Sequence, residues 1–221
     1  MNAAQESLRI PAAGVTLDAD MVVPQPARGL VLFAHGSGSS RHSSRNRHVA
    51  GELQAAGLAT VLADLLTPEE EQADVRTGAL RFDIDLLSGR VTALTDWLVE
   101  QERLADLGIG LFGASTGAAA ALVAAARPAS VQAVVSRGGR PDLAGGRLRQ
   151  VRQPTLLIVG GRDRTVLELN REAMEELGGE TRLEIVPGAS HLFEEAGALD
   201  EVARLARDWF VRHLRPVPRG T

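Results

Sequence analysis

Apolar residues in this chain gather into short runs, separated by longer stretches where they return every three or four positions. The runs are Leu30-Val31-Leu32-Phe33-Ala34, which is continuous, and Ala59 to Leu65, Leu107 to Phe112, Val131 to Val135 and Pro154 to Val159, each with at most two polar residues. Runs of this length without polar alternation predict strands covered on both faces. Arg182-Leu183-Glu184-Ile185-Val186 predicts one more strand. Between the strands, helical spacing predicts helices over about 44–56, closed by Gly57, and over 82–102, with Leu86, Leu87, Val91, Leu94 and Leu98 on one face. Further helices are expected over 118–126, 166–177 and 199–213. At the start, Leu8-Arg9-Ile10 and Thr16 to Val23 alternate around Pro11 and Gly14, which predicts a hairpin at a sheet edge, followed by the turn-rich stretch 24–29. The segment Thr67 to Thr77 carries Glu69-Glu70-Glu71 and reads as a solvated face or loop. Residues 1–6 and 215–221 read as loose ends. Strands alternating with helices predict an α/β domain with a mostly parallel sheet and helices on both faces.

Composition narrows the chemistry. The chain has 221 residues, enough for one domain with a substantial core. Its net charge of -4 leaves no basic surplus to neutralise phosphates, so nucleic acid is not expected as a partner. The absence of cysteine excludes disulfides, thiolate metal sites and a cysteine nucleophile. Met1 to Asp20 lacks the basic start and apolar stretch of a secretory leader, and no apolar run approaches bilayer length. The expectation is a cytoplasmic protein without membrane contact. All 24 basic residues are arginine, a bias that carries no functional reading by itself.

The polar residues that interrupt the pattern sit just past strand ends, where loops converge in sheets of this kind. Gly113-Ala114-Ser115-Thr116-Gly117 joins a predicted strand to a predicted helix. A serine on such a tight turn has its hydroxyl exposed, and Gly113 and Gly117 keep the neighbouring chain clear. Taken alone, the pattern is weak in a chain so rich in Gly, Ser and Ala. Asp163 follows the 154–159 strand, and His191 follows the 182–186 strand. A nucleophile, an acid and a base thus stand at three strand ends in the order Ser, Asp, His. His191 is expected to take the proton of Ser115 during attack and return it to the leaving group. Asp163 is expected to hold the imidazole tautomer. The oxyanion is expected to meet the amides of Thr116 and Ser37, the latter from the loop after the 30–34 strand. Arg45 and Arg137 are candidates for the rim, where a guanidinium can orient a substrate carboxylate.

His35-Gly-Ser-Gly, Gly113-Ala-Ser-Thr-Gly, Gly161-Arg-Asp and Gly188-Ala-Ser-His-Leu-Phe together resemble the α/β-hydrolase superfamily, and within it the small dienelactone hydrolase-like members. The resemblance runs from Leu8 to Leu214. It implies an α/β-hydrolase fold and hydrolysis of a small-molecule ester or lactone with neither metal nor organic cofactor. This chain departs from dienelactone hydrolases proper at the nucleophile, which is cysteine there and Ser115 here. Only 17 residues, 137–153, lie where larger members insert a lid, so little or no lid is expected, and an open site with little apolar wall.

Competing readings attach to most of these residues. Ser115 as a plain turn serine, Asp163 as a helix N-cap and His191 as a loop histidine each explain one position but not the order of all three. His35 reads as a structural hydrogen-bonding group beneath the oxyanion loop. His42, His48 and His213 read as surface residues, as do Arg41, Arg47 and Arg140. A lactonase, thioesterase or acyltransferase would use the same nucleophile and donors, whereas a non-enzymatic binding module would be expected to have lost one of the three.

Overall fold

The computed structural model describes residues 4–127 and 130–217. Eight strands form one sheet: β1 (Gln5–Ala12), β2 (Val15–Val22), β3 (Gly29–Ala34), β4 (Leu58–Ala63), β5 (Ile109–Ala114), β6 (Val131–Arg137), β7 (Thr155–Gly160) and β8 (Thr181–Val186). Their order across the sheet is β1-β2-β4-β3-β5-β6-β7-β8. β1 and β2 form an antiparallel edge hairpin, and every pairing from β4 to β8 is parallel. The expected fold class is the one observed.

Alternate residues of each central strand feed two cores. Leu30, Leu32 and Ala34 of β3 pack with the cluster that includes α3 (Ile84–Glu100) and α4 (Thr116–Ala125). Val31 and Phe33 pack on the other face with α1 (Ser44–Ala55) and α6 (Ala198–His213). Helix α4 is buried along its whole length, which explains why it is built almost entirely of alanine: larger side chains would not fit between sheet and neighbours. After β3 the chain passes to β4 on one side, and later to β5 on the other. Connections leaving β3 and β5 therefore diverge, opening a crevice at their carboxyl ends.

The segment after β4 departs from expectation. Residues Pro68–Thr77 form a helix, α2, rather than a loop. Thr67 Oγ1 accepts from the Glu70 amide at 3.3 Å, and Glu70 Oε2 accepts from the Thr67 amide at 2.8 Å, a reciprocal cap that satisfies two otherwise unpaired donors. The acidic run is not merely solvated either. Glu70 grips the Arg90 guanidinium through two bonds of 2.7 and 2.5 Å, and Arg90 also donates to the Leu65 carbonyl at 2.6 Å. Arg90 is only 1% exposed, so its charge depends on that carboxylate. Glu70→Ala is expected to cost about 3 kcal/mol, because an unpaired buried charge remains; urea unfolding measures it. The Arg90 hydrogen bond holds the Glu70 carboxyl below its ordinary pKa. Its contribution to stability is therefore present above the unfolded-chain value of 4.5 and lost as pH falls through the lower folded value.

The ends are better fixed than expected. Gln5 and Glu6 pair with Val22 and Met21 in the edge hairpin. At the other end, the Arg215 amide donates to Gln132 and the Val217 amide to the Asp106 carbonyl. The rest of the segments read as loose, 1–3 and 218–221, lies outside the described residues.

Candidate active site

Ser115 follows β5 at φ 52° and ψ -121°, a backbone region that L-residues rarely occupy. The turn is sharp because β5 must reverse at once into α4. A Cβ on Gly113 would lie 2.4 Å from Ala118 Cα, and one on Gly117 would lie 2.3 Å from the carbonyl oxygens of both Ala34 and His35. Only glycine fits at these two flanks. The Ser115 amide donates to the Arg137 carbonyl at 3.2 Å, and its carbonyl accepts from the Arg140 amide at 3.2 Å. The turn is thus tied to the chain leaving β6.

Asp163 stands at the N-cap position of α5 (Arg164–Glu176), yet its side chain makes no cap bond. Its Oδ2 instead accepts from His191 Nδ1 at 2.6 Å. Since a carboxylate only accepts, the imidazole carries its proton on Nδ1, leaving Nε2 with a free lone pair. The loop bearing His191 is braced from behind, where Glu195 accepts from the Ser190 amide at 2.9 Å and from its hydroxyl at 3.2 Å. A Cβ on Gly138, the residue after β6, would come within 3.5 Å of the His191 ring. His191 therefore faces the same strand end that holds the Ser115 amide.

The loop after β3 lies against the serine turn, with a Gly36 Cβ position 3.0 Å from Ser115 Cβ. Buried His35 donates from Nδ1 to the Gly36 carbonyl at 2.9 Å, and its Nε2 accepts from the Leu65 amide at 3.0 Å. Burial lowers its pKa, which keeps Nε2 free to accept. This is the structural hydrogen-bonding role read for it. The Ser37 amide donates to Thr116 Oγ1 at 3.0 Å. The two candidate oxyanion residues are thus brought together, but the Ser37 amide already has a partner. The Thr116 amide opens α4 and belongs to the donors that a helix leaves without an internal acceptor.

A cavity of about 230 Å³ opens beside this loop, lined by Ser37, Gly38, Ser39 and Thr116 on one side and by Leu65, Leu66, Val75 and Leu87 on the other. After β6 there is only a 3-10 stretch, Pro141–Gln150, and no lid. The apolar part of that lining comes from around α2, with Leu65 and Leu66 before it, Val75 on it and Leu87 on α3, and the polar Glu71, Asp74 and Arg81 line the same cavity. Asp74 fixes that region by accepting from the Leu80 amide at 2.7 Å and from Arg81 Nε at 2.5 Å. Sequence reasoning passed over Asp74 and Arg81; the Thr67-x-x-Glu70 cap was the signal that a helix stood there.

Among the other arginines, Arg41 pairs with Asp64, Arg47 with Asp20 and Arg140 with Asp142, so each is held by an acid rather than simply solvated. His42 and His48 contact Arg47 and Asp200 on the exterior. Arg137 ends β6 and is 8% exposed, with Nη2 3.5 Å from Asn46 Oδ1. Burial, with the charge of Arg45 adding to it, pushes its guanidinium down to about 10. Among the described residues, the acid that Arg45 approaches is Glu194, at 3.9 Å.

The chain has relatives. The sequence model of the dienelactone hydrolase family matches residues 17–214. The chain belongs to the dienelactone hydrolase family. A solved dienelactone hydrolase from Anabaena variabilis is 56% identical, with a TM-score of 0.95 over 97% of this chain and 100% of that one. Est1E from Butyrivibrio proteoclasticus shares the fold at 16% identity, with a TM-score of 0.77 over 93% of this chain and 98% of that one. Two Mycobacterium tuberculosis proteins, each named "Putative phosphoribosyl transferase", are 58% identical over 97% of this chain. The chain spans about half the length of these curated relatives, 48%. Among the described residues, no helix of this family member is long and apolar enough to cross a membrane.

Proposed function

We propose that this dienelactone hydrolase family member is a serine hydrolase of carboxylic esters, with Ser115 as nucleophile, His191 as base and Asp163 as its orienting acid. The observation that carries the reading is the Asp163 side chain, which forgoes its helix cap to accept from His191 Nδ1 at 2.6 Å. Ser115 attacks the ester carbonyl as His191 Nε2 takes its proton, and the carbonyl oxygen becomes the oxyanion. The Thr116 amide and the Ser37 amide, the latter shared with Thr116 Oγ1, donate to that oxyanion. Collapse expels the alcohol with the proton from His191, leaving an acyl-serine. Water, deprotonated by the same imidazole, then releases the acid. Asp163 stabilises the imidazolium throughout without taking the proton.

Lactone opening is the second reading, favoured by the 56% identity to a protein named a dienelactone hydrolase. The phosphoribosyl transferase name belongs to proteins twice the matched length, and the Ser115 site offers no reason to transfer it here. A fluorophosphonate probe is expected to label Ser115, located by peptide mass, and a panel of esters, lactones and thioesters then ranks the bonds. Absence of labelling at Ser115, in protein that melts cooperatively, sinks the serine hydrolase reading.

A further inference from the structure

The sheet ends at β8, and among the described residues no strand lies beyond it. The Thr155 amide donates to the Glu180 carbonyl at 2.8 Å and the Gly161 amide to the Val186 carbonyl at 2.9 Å, in a register that sets Thr155 beside Thr181. Parallel pairing of this phase turns the peptide groups of even-numbered residues toward β7 and those of Thr181, Leu183 and Ile185 outward. Unpaired edge groups are a template for another strand, which proteins commonly blunt with proline or bulges. The opposite edge strand, β1, contains Pro11, which has no amide hydrogen to offer a neighbour. β8 contains neither proline nor glycine, and Ile185 on it is exposed. It carries instead one charge of each sign. Arg182 and Glu184 lie two apart, on one face of the strand, and form an ion pair with each other.

We infer that the outer edge of β8 pairs with the same edge of a second copy of this chain, antiparallel, about a two-fold axis at Leu183. The charges select this register. Arg182 of each copy stands opposite Glu184 of the other, whereas an axis at Arg182 or at Glu184, or parallel pairing in register, sets like charges face to face. The backbone agrees. Antiparallel pairs alternate between hydrogen-bonded and non-hydrogen-bonded positions. The outward peptide groups make Leu183 with Leu183, and Thr181 with Ile185, the hydrogen-bonded pairs. Arg182 and Glu184 then take the non-hydrogen-bonded positions, where facing side chains come closest, and their charges alternate in sign across the axis. On the other face Leu183, which packs against Val159, Val166 and Leu167, meets its own copy, and Ile185 is covered from across the pair. A strand of six residues spans about 20 Å, so the contact is small and the dimer weak and reversible.

Sedimentation velocity of the parent from about 1 to about 200 μM is expected to show a concentration-dependent equilibrium between monomer and dimer. Arg182→Glu sets like charges opposite each other at two places and is expected to raise the dimer Kd about tenfold. The double variant Arg182→Glu with Glu184→Arg restores opposite signs and is expected to return Kd to within about twofold of the parent. Ile185→Pro removes an amide hydrogen that the monomer leaves unused. It is expected to weaken the dimer about as much as Arg182→Glu, with a Tm in dilute protein close to the parent's. Should Ile185→Pro fail to melt cooperatively, the charge variants decide alone, since Arg182 is largely exposed. A parent that stays monomeric over the whole range overturns the proposal. So does assembly beyond two copies, which a closed two-fold contact does not produce. A dimer whose Kd stays within about twofold of the parent in Arg182→Glu, or one that the double variant fails to restore, overturns it as well.

Discussion

Ser115→Ala is expected to lower ester turnover about a millionfold, to the residue of catalysis that donors and binding supply without a nucleophile. The substitution removes one oxygen and nothing else. Ser115 keeps φ 52° in alanine, because Gly113 and Gly117 leave the chain no other path between β5 and α4. The variant should therefore unfold in urea at nearly the parent's midpoint. Ser115→Gly separates the two roles of the position. Glycine tolerates this backbone region, so it should be more stable than the alanine variant by about 1 kcal/mol, with turnover equally absent. Turnover within about tenfold of the parent in Ser115→Ala would remove Ser115 from the chemistry, whatever the stabilities show.

That paired outcome reflects where the backbone carries strain. Ser115 could be singled out in sequence because its glycine-flanked turn, weak as a pattern alone, is followed by Asp163 and His191 at later strand ends in the order Ser, Asp, His. Apolar patterning served most of the sheet: mainly apolar runs marked the central strands, and Asp163 stands past the end of one of them, whereas His191 follows β8, a partly exposed edge strand. It failed at α2. Pro68–Thr77 has almost no apolar residue, and Val75, the largest, is 76% exposed. Hydrophobic periodicity is blind to such a helix; its signal lay in the cap formed by Thr67 and Glu70 and in Glu70's partner, Arg90, twenty positions away. The wall of the cavity beside Ser37 was missed with it.

β6 shows a different limit. Apolar character stops at Val135, so Ser136 and Arg137 read as loop, yet both lie within the strand and are buried. A polar residue at the carboxyl end of a central strand is covered by neighbouring loops whatever its own preference. The sequence suggests Arg137 as a rim residue, but could not show that its guanidinium makes no ion pair among the described residues. That depends on which side chains α1 and the 191–195 loop bring across, and no spacing rule encodes it.

Asp163→Asn should reduce turnover by about four decades while leaving the fold intact. Both halves of this expectation follow from the same bond. In the parent, the carboxylate accepts from His191 Nδ1 at 2.6 Å, which places the imidazole proton away from Ser115 and gives the imidazolium a full negative charge to lean on. An asparagine amide can turn its NH2 toward Nδ1. The ring proton then moves to Nε2, the atom proposed to accept from the Ser115 hydroxyl, and the proposed base is lost without any change in packing. Stability should hold because Asp163 makes no cap bond for asparagine to lose, and asparagine caps a helix as well as aspartate does. Fluorophosphonate labelling should slow in step with turnover, since both need the same proton transfer. Parent-like labelling and turnover in Asp163→Asn would show that His191 finds its tautomer without this carboxylate, and would return Asp163 to the role of a helix-terminal residue.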